Sequence, residues 1–169
     1  MTKNQLIKLC IGSIIVFFIY KIFSNIIHKE HVRKITSVLP NFKFFNLQNK
    51  PFTKDSIPAN KKTVLLFFNT TCEHCQYETE KIIKSNKQLQ SANFLFVSTQ
   101  SQKELLQFDS IYHTTSFPFI RLLRDSSNIF YQAFGTTIVP SSFIYDSKGL
   151  LIKKFTGEVK IETIINLLK

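Results

Sequence analysis

The chain has 169 residues, 44% hydrophobic, with 18 phenylalanines, and its 22 lysines and arginines against 11 acidic residues give a net charge of +11. That apolar content excludes intrinsic disorder and, beyond an apolar N-terminus, leaves room for one packed domain of about 130 residues. The lysines stand in ones and twos (Lys43, Lys50, Lys54, Lys81, Lys84, Lys87, Lys103). A nucleic-acid binder gathers its charge on one element, so no nucleic-acid partner is expected, only a solvated basic surface with some attraction to anionic lipid headgroups.

Residues 1–8 form a short tail before an apolar run at 9–27, LCIGSIIVFFIYKIFSNII, interrupted only by Lys21, Ser24 and Asn25. As a helix, a run of that length covers roughly 28 Å, enough for a bilayer core. Lys21 lies toward one end, where its stem reaches the interface. A cleaved secretory signal is the competing reading, but no small-x-small cleavage site follows, so an uncleaved single-pass transmembrane anchor is expected. Cys10 precedes the apolar run instead of ending it and is read as a small apolar residue, not a lipidation site.

Orientation pulls two ways. Lys3 and Lys8 precede the run, and Lys29, Arg33 and Lys34 follow it. Charge alone favours a cytoplasmic domain. Translocation of a large domain overrides so small a bias, and a periplasmic or extracytoplasmic domain is the expectation.

A polar juxtamembrane linker at 28–39 leads into a domain at 40–169. Residues 42–47 alternate as a strand, and a loop with Pro51 and Pro58 follows. The near-continuous apolar run at 63–69 predicts a strand covered on both faces. A helix opens at Cys72 and runs to about Lys87, with Glu73, Glu78 and Glu80 early and lysines late, as the helix dipole prefers. Residues 93–98 form the next strand, and 101–110 a short helix with Ser101 as cap and Glu104 three residues on. A strand at 119–123 follows Pro118, and a helical turn at 128–134 stops at Gly135. Residues 142–145 and 150–155 flank Asp146-Ser-Lys-Gly149 as a hairpin, and 161–168 closes as an amphipathic helix. This order indicates an α/β fold, a sheet with helices on both faces.

Of three cysteines, Cys72 and Cys75 form one local pair and Cys10 is left over, too few for a disulfide framework. The pair sits just after a strand and at the start of a helix. The free N–H groups and positive end of a helix N-terminus stabilise a thiolate, the form that attacks disulfides. At i and i+3 the two sulfurs share one helix face and close into a bridge with little backbone movement. A four-residue loop gains little from closure entropy, so a Cys72–Cys75 bridge is chemical, not structural.

The order strand, CxxC helix, strand, helix, then Val139-Pro140 before a hairpin resembles the thioredoxin-like superfamily, and within it the membrane-tethered TlpA/ResA-type thiol-disulfide oxidoreductases. The marks are residues 68–78, Phe117-Pro118, Gly135, and Val139-Pro140-Ser141-Ser142-Phe143-Ile144-Tyr145-Asp146 with Gly149. The resemblance implies a thioredoxin-like fold, a central mixed sheet flanked by helices. It implies a cis Val139-Pro140 bond that presents Val139 main chain to a substrate polypeptide. Helix geometry and resemblance together make Cys72 the attacking thiol and Cys75 the buried resolving one, cycling through a Cys72–Cys75 disulfide. Between them, His74 favours the thiolate if protonated and Glu73 disfavours it.

Three positions depart from the family pattern: Thr71 replaces an aromatic, Gln76 a basic residue, and Leu66 the buried acid of thioredoxins proper. Glu78 is then a candidate to handle the proton, against its reading as a helix-dipole or surface residue. The expected activity is disulfide exchange with cysteine-bearing protein substrates, as a reductase fed by a membrane electron donor, with no metal and no cofactor.

Other readings compete. One is a disulfide-forming oxidase. A peroxiredoxin-like peroxidase is another, but Thr70 stands only two residues before Cys72 and no activating arginine is evident. A Cu(I)-delivery protein would need a third ligand such as His113. A structural zinc site would need a second ligand pair, and the histidines at 28, 31 and 113 read as loop or juxtamembrane residues. The last alternative is a thioredoxin-fold scaffold without turnover.

Overall fold

A computed structural model describes residues 3–169, with the side chains of residues 3–11, Asn25, His28, Lys29 and His31 outside the description. Residues 1 and 2 of the expected tail, and the side chain of Cys10, therefore lie outside the described residues. The chain divides into two compact units, Met1–Ile35 and Thr36–Lys169.

The first unit is helical. Helix α1 (Lys3–Thr36) continues through residues 28–36, where a polar linker was expected. Gly12 is the only glycine and Pro40 the first proline in this part of the chain, so nothing stops the helix earlier. Ile14, Ile15, Val16, Phe17, Phe18, Ile19 and Tyr20 are each more than half exposed, as are Ile22, Phe23, Ile26 and Ile27. Seven consecutive residues visit every side of a helix, so this apolar surface has no polar face. Among the described residues no helix is long and apolar enough to cross a membrane. The side chains of residues 9–11, which begin the apolar run, are not among them.

The second unit is built on strands β1 (Lys43–Asn46), β2 (Pro51–Thr53), β3 (Thr63–Phe67), β4 (Asn93–Ser98), β5 (Ile120–Arg124), β6 (Ser141–Tyr145) and β7 (Leu151–Thr156). They form one mixed sheet in the order β2-β1-β5-β4-β3-β6-β7. The centre is parallel, β4 between β3 and β5, and the pairs β1–β2, β1–β5, β3–β6 and β6–β7 are antiparallel. Helices α2 (Glu73–Lys84), α3 (Asn86–Leu89), α4 (Gln102–Tyr112), α5 (Phe130–Phe134) and α6 (Ile161–Leu168) flank it.

All five residues of β3 are buried because its two faces feed two cores. Val64 and Leu66 join Phe94, Phe96, Leu122 and Ile144 under Ile82 of α2, Leu105 of α4 and Ile164 of α6. Leu65 and Phe67 join Leu95, Val97 and Tyr145 beneath Phe130 and Phe134 of α5. An apolar run without alternation is what a doubly covered strand requires.

Several boundaries differ from the sequence reading. Residues 51–53, expected in a loop, pair with β1 as edge strand β2. Pro51 opens that strand at the edge of the sheet, where a missing N–H is tolerated. The helix from the dithiol ends at Lys84, not Lys87. There the Asn86 side chain donates to the Ile83 carbonyl (2.8 Å), the competition with backbone pairing that makes Ser and Asn poor helix formers. Helix α4 runs to Tyr112, and His113 ends it in the left-handed region at φ 51. The capping box is as expected, with Glu104 N–H donating to Ser101 Oγ and Ser101 N–H to Glu104 Oε2.

Ahead of β1, the chain fastens onto the β6–β7 hairpin. Leu151 N–H donates to the Ser37 carbonyl and Leu39 N–H to the Gly149 carbonyl (2.9 and 2.8 Å), so the unit begins at Thr36, four residues before the expected boundary at 40.

Candidate active site

Strand β3 delivers the chain to a loop tied on both sides before α2 begins. Asn69 Oδ1 accepts from the Thr71 N–H (2.9 Å) and hydroxyl (2.8 Å), and the Cys72 N–H donates to the Asn69 carbonyl (3.2 Å). Thr70 N–H donates to Gln100 Oε1 (2.6 Å), while the Gln76 amide donates to the Thr70 carbonyl (2.7 Å). Two departures from the family pattern thus have structural work, Thr71 and Gln76 both holding this loop.

Cys72 is not the first residue of α2 but its N-cap, at φ −80 and ψ 116. The helix starts at Glu73, so Cys72 stands at the positive end of α2, although its side chain makes no capping hydrogen bond there. Cys72 is partly exposed and Cys75, one turn in, is wholly buried; both thiols are unbridged. Burial pushes the Cys75 thiol far above the usual thiol range. Its hydrogen bond with the Cys72 thiol adds to that, the Asn69 backbone opposes it, and charge on Cys72 and Glu78 adds again. Cys75 therefore holds its proton until something takes it.

Glu78 is 1% exposed, which overturns its reading as a surface or helix-dipole residue. It lies one turn beyond Cys75 on the inner face of α2, where the i, i+3 spacing brings it beside that residue. Its Oε1 accepts from the Ser142 hydroxyl (3.2 Å), and Oε2 has no hydrogen-bond partner among the described residues. Burial raises its pKa to about 7; the Ser142 hydrogen bond opposes the rise and the Glu158 charge adds to it. A buried acid poised near neutrality thus comes from α2, since Leu66 of β3 is apolar and buried.

The Val139-Pro140 bond is cis. Because Ser141 pairs with Phe67 across β6 and β3, Pro140 stands at the end of β3 from which the dithiol loop departs. Val139 packs against the same core cluster as Cys72. The Pro140 carbonyl accepts from the Gly157 N–H (2.9 Å), and Ser141 Oγ donates to the Ile138 carbonyl (2.8 Å).

Between the cysteines, Glu73 and His74 are both exposed. His74 Nδ1 lies 2.7 Å from Glu158 Oε2, a partner 84 positions away. The structure thus gathers Cys72, Cys75, His74 and Glu78 at one end of α2. It adds Glu158 and Ser142, which no local spacing in the sequence singled out. His113 ends α4 instead of joining the dithiol, and among the described residues no three His, Cys, Asp or Glu side chains are gathered to hold a metal ion.

Residues 35–154, most of the chain, match the model of the AhpC/TSA family. No curated protein sequence matches the chain. Among solved structures, the chain is similar to StoA from Bacillus subtilis, at 18% identity and a TM-score of 0.61, over 79% of this chain and 99% of that one. A secreted disulfide oxidoreductase of Mycobacterium tuberculosis, described as homologous to E. coli DsbE, aligns at 18% identity and a TM-score of 0.63, over 75% and 93%. Peroxidoxin BcpB of the same organism aligns at 15% identity and a TM-score of 0.66, over 78% and 93%. At such identities the likeness is one of fold, a thioredoxin-like sheet flanked by helices. The chain belongs to the AhpC/TSA family.

Proposed function

We propose that this protein reduces disulfides in other proteins through Cys72 and Cys75, in the manner of the TlpA/ResA-type enzymes, while held to a membrane by residues 9–27. The observation that carries the reading is the division of labour on α2. A partly exposed sulfur caps the helix, a wholly buried one follows a turn later, and a buried carboxyl stands a turn beyond that.

The steps follow from those positions. An extended client segment pairs with Val139 main chain beside the cis-proline, and the Cys72 thiolate attacks one sulfur of the client disulfide. The client S–S bond breaks, a Cys72–client disulfide forms, and the other client sulfur leaves and takes a proton. Glu78 takes the Cys75 proton, and the Cys75 thiolate attacks Cys72. The Cys72–Cys75 disulfide forms, and the second client sulfur departs, protonated from Glu78. The client gains two electrons and two protons, which a membrane dithiol donor later restores to the enzyme.

Glu73, beside Cys72, disfavours the thiolate and with it a strongly oxidising couple. The all-round exposure of apolar side chains on residues 14–27 supports a lipid surrounding for that segment. An extracytoplasmic domain fits a tethered dithiol with protein clients. Removing residues 9–27 should release the protein from the membrane fraction to the soluble one, and retention would end the tether reading.

Family membership and the likeness to a peroxidoxin favour peroxide reduction as the second reading. Against it stand the three arginines, each engaged elsewhere. Arg33 pairs with Glu30 on α1 (3.8 Å), Arg121 donates to the Pro118 carbonyl (2.7 Å), and Arg124 to Asn49 (3.1 Å). Within the second unit, neither Arg121 nor Arg124 has a contact with Cys72 among the described residues.

Trapping separates the two. With Cys75→Ser, a disulfide-bearing client should accumulate as a mixed disulfide on Cys72, and Cys72→Ser should abolish it. Peroxide turnover by Cys75→Ser at the wild-type rate, with no trapped client, would favour the peroxidase.

A further inference from the structure

The dithiol reading leaves open what sets the direction of exchange, and one contact bears on it. His74 stands inside the reactive pair, where an imidazolium would stabilise the Cys72 thiolate and so the dithiol form of the enzyme. That is the arrangement of an oxidant. Its Nδ1 is met at 2.7 Å by a carboxylate from the far end of the chain, Glu158 Oε2. We propose that Glu158 is the positioning residue for the direction of exchange: its charge offsets His74 and holds the Cys72–Cys75 couple on the reducing side.

Glu158 is brought to the dithiol by the fold. It follows Gly157 in the loop after β7, and Gly157 adopts φ +88, a conformation that side-chain-bearing residues rarely take. The Gly157 N–H donates to the Pro140 carbonyl (2.9 Å), so the loop that carries Glu158 is fastened to the cis-proline loop. The pair is largely open to solvent, with side-chain exposures of 74% for His74 and 35% for Glu158. Exposed ion pairs contribute little to stability, so its effect lies in the field at the neighbouring sulfur. The same carboxylate also acts on buried Glu78, where its charge adds to the rise caused by burial.

The sign is fixed by charge. With His74 in the same form in both proteins, removing the carboxylate leaves the surroundings of Cys72 more positive. The thiolate gains, the dithiol is stabilised, and the enzyme holds its electrons more tightly. In equilibrium with glutathione, the two thiols pass two electrons and two protons to glutathione disulfide. They become the Cys72–Cys75 bridge and two reduced glutathiones form. Loss of Glu158 should draw that equilibrium back toward the dithiol.

The test uses the full-length chain with Glu158→Asp, Glu158→Gln and Glu158→Lys, each equilibrated against glutathione and its disulfide. Glu158→Asp should stay within about twofold of wild type. Glu158→Gln should shift the equilibrium about three- to tenfold toward the dithiol, or about 15–30 mV, and Glu158→Lys further the same way. A merely structural role would not grade with charge. A second readout is the pH profile of exchange. Glu78 is faced by Cys75 along α2, Ser142 from β6 and Glu158 from the loop, so its inflection should fall to lower pH in Glu158→Gln.

If Glu158→Gln does not fold, His74→Gln serves, and it should shift the equilibrium the opposite way, toward the disulfide. An unchanged equilibrium in Glu158→Gln, or a shift toward the disulfide, overturns the proposal and leaves the dithiol function intact. A wild-type chain with no two-electron couple overturns both.

Discussion

The two faces of the sheet are built for different ends. On one, Phe42, Phe44, Phe67, Phe130, Phe134 and Phe143 pack ring on ring, with centroids 4.1 Å apart for Phe67–Phe130, 4.6 Å for Phe42–Phe44 and 4.5 Å for Phe130–Phe134. On the other, α2 presses against the same strands with Cys75, Glu78 and Ile82 on its inner side, a sulfur and a carboxyl among aliphatic neighbours. The aromatic face gains stability from area and ring contacts. The dithiol face gives some of it up, because an unpartnered carboxylate oxygen in the interior costs free energy unless it is protonated. Reactive groups are thus housed on one face and the stacked aromatic rings on the other.

Variants that act on one face and spare the other put that contrast at risk. The largest effect falls on the sulfur: Cys72→Ser should lose all disulfide turnover while its thermal unfolding stays near wild type. Phe130→Ala should do the reverse. It should cost about 3–5 kcal/mol of stability by denaturant unfolding and leave the reduction potential unmoved. A potential that moved with it would mean the faces are coupled.

Glu78→Gln sharpens the comparison through pH. The carboxyl moves from its ordinary 4.5 to about 7 in the folded protein, so its protonated form is the one the fold favours. Its contribution is intact below about pH 4.5 and is lost as pH rises to about 7. Glutamine has no such loss. Glu78→Gln should therefore unfold at higher denaturant above pH 7, by up to about 3 kcal/mol, and match wild type near pH 4. Its exchange rate should fall at the same time if Glu78 takes the Cys75 proton as proposed. Equal stability across pH would mean that burial does not act on this carboxyl.

The smallest effect belongs to Ser142→Ala. The hydroxyl opposes the rise at Glu78, so its loss should move the inflection of the pH–rate profile upward and cost about 1 kcal/mol. An inflection that stayed put would remove Ser142 from the site.

Much of this was legible in the sequence wherever the signal is local. The apolar run of β3, the Ser101–Glu104 box, Gly135 after α5 and Asp146–Gly149 between β6 and β7 each follow from neighbours within a few residues. Asp146 Oδ1 indeed accepts from Lys148 N–H and Leu150 N–H, and Gly149 sits at φ 81. The cis bond at Pro140 came from resemblance, since spacing alone gives no isomer. What stayed hidden depends on distant segments. Edge strand β2 exists because β1 offers it a partner, overriding two prolines nearby. Glu78 looked like a surface acid because its burial depends on Ser142, 64 positions on, and Glu158 reaches His74 across 84.

The fastening of Ser37 and Leu39 to the β6–β7 hairpin has a mechanical consequence. Pro140 lies just before β6, and the hairpin turn just after it. Tension on the chain ahead of Thr36 is therefore delivered to the hairpin end of a strand about 17 Å long, away from the end that carries Pro140.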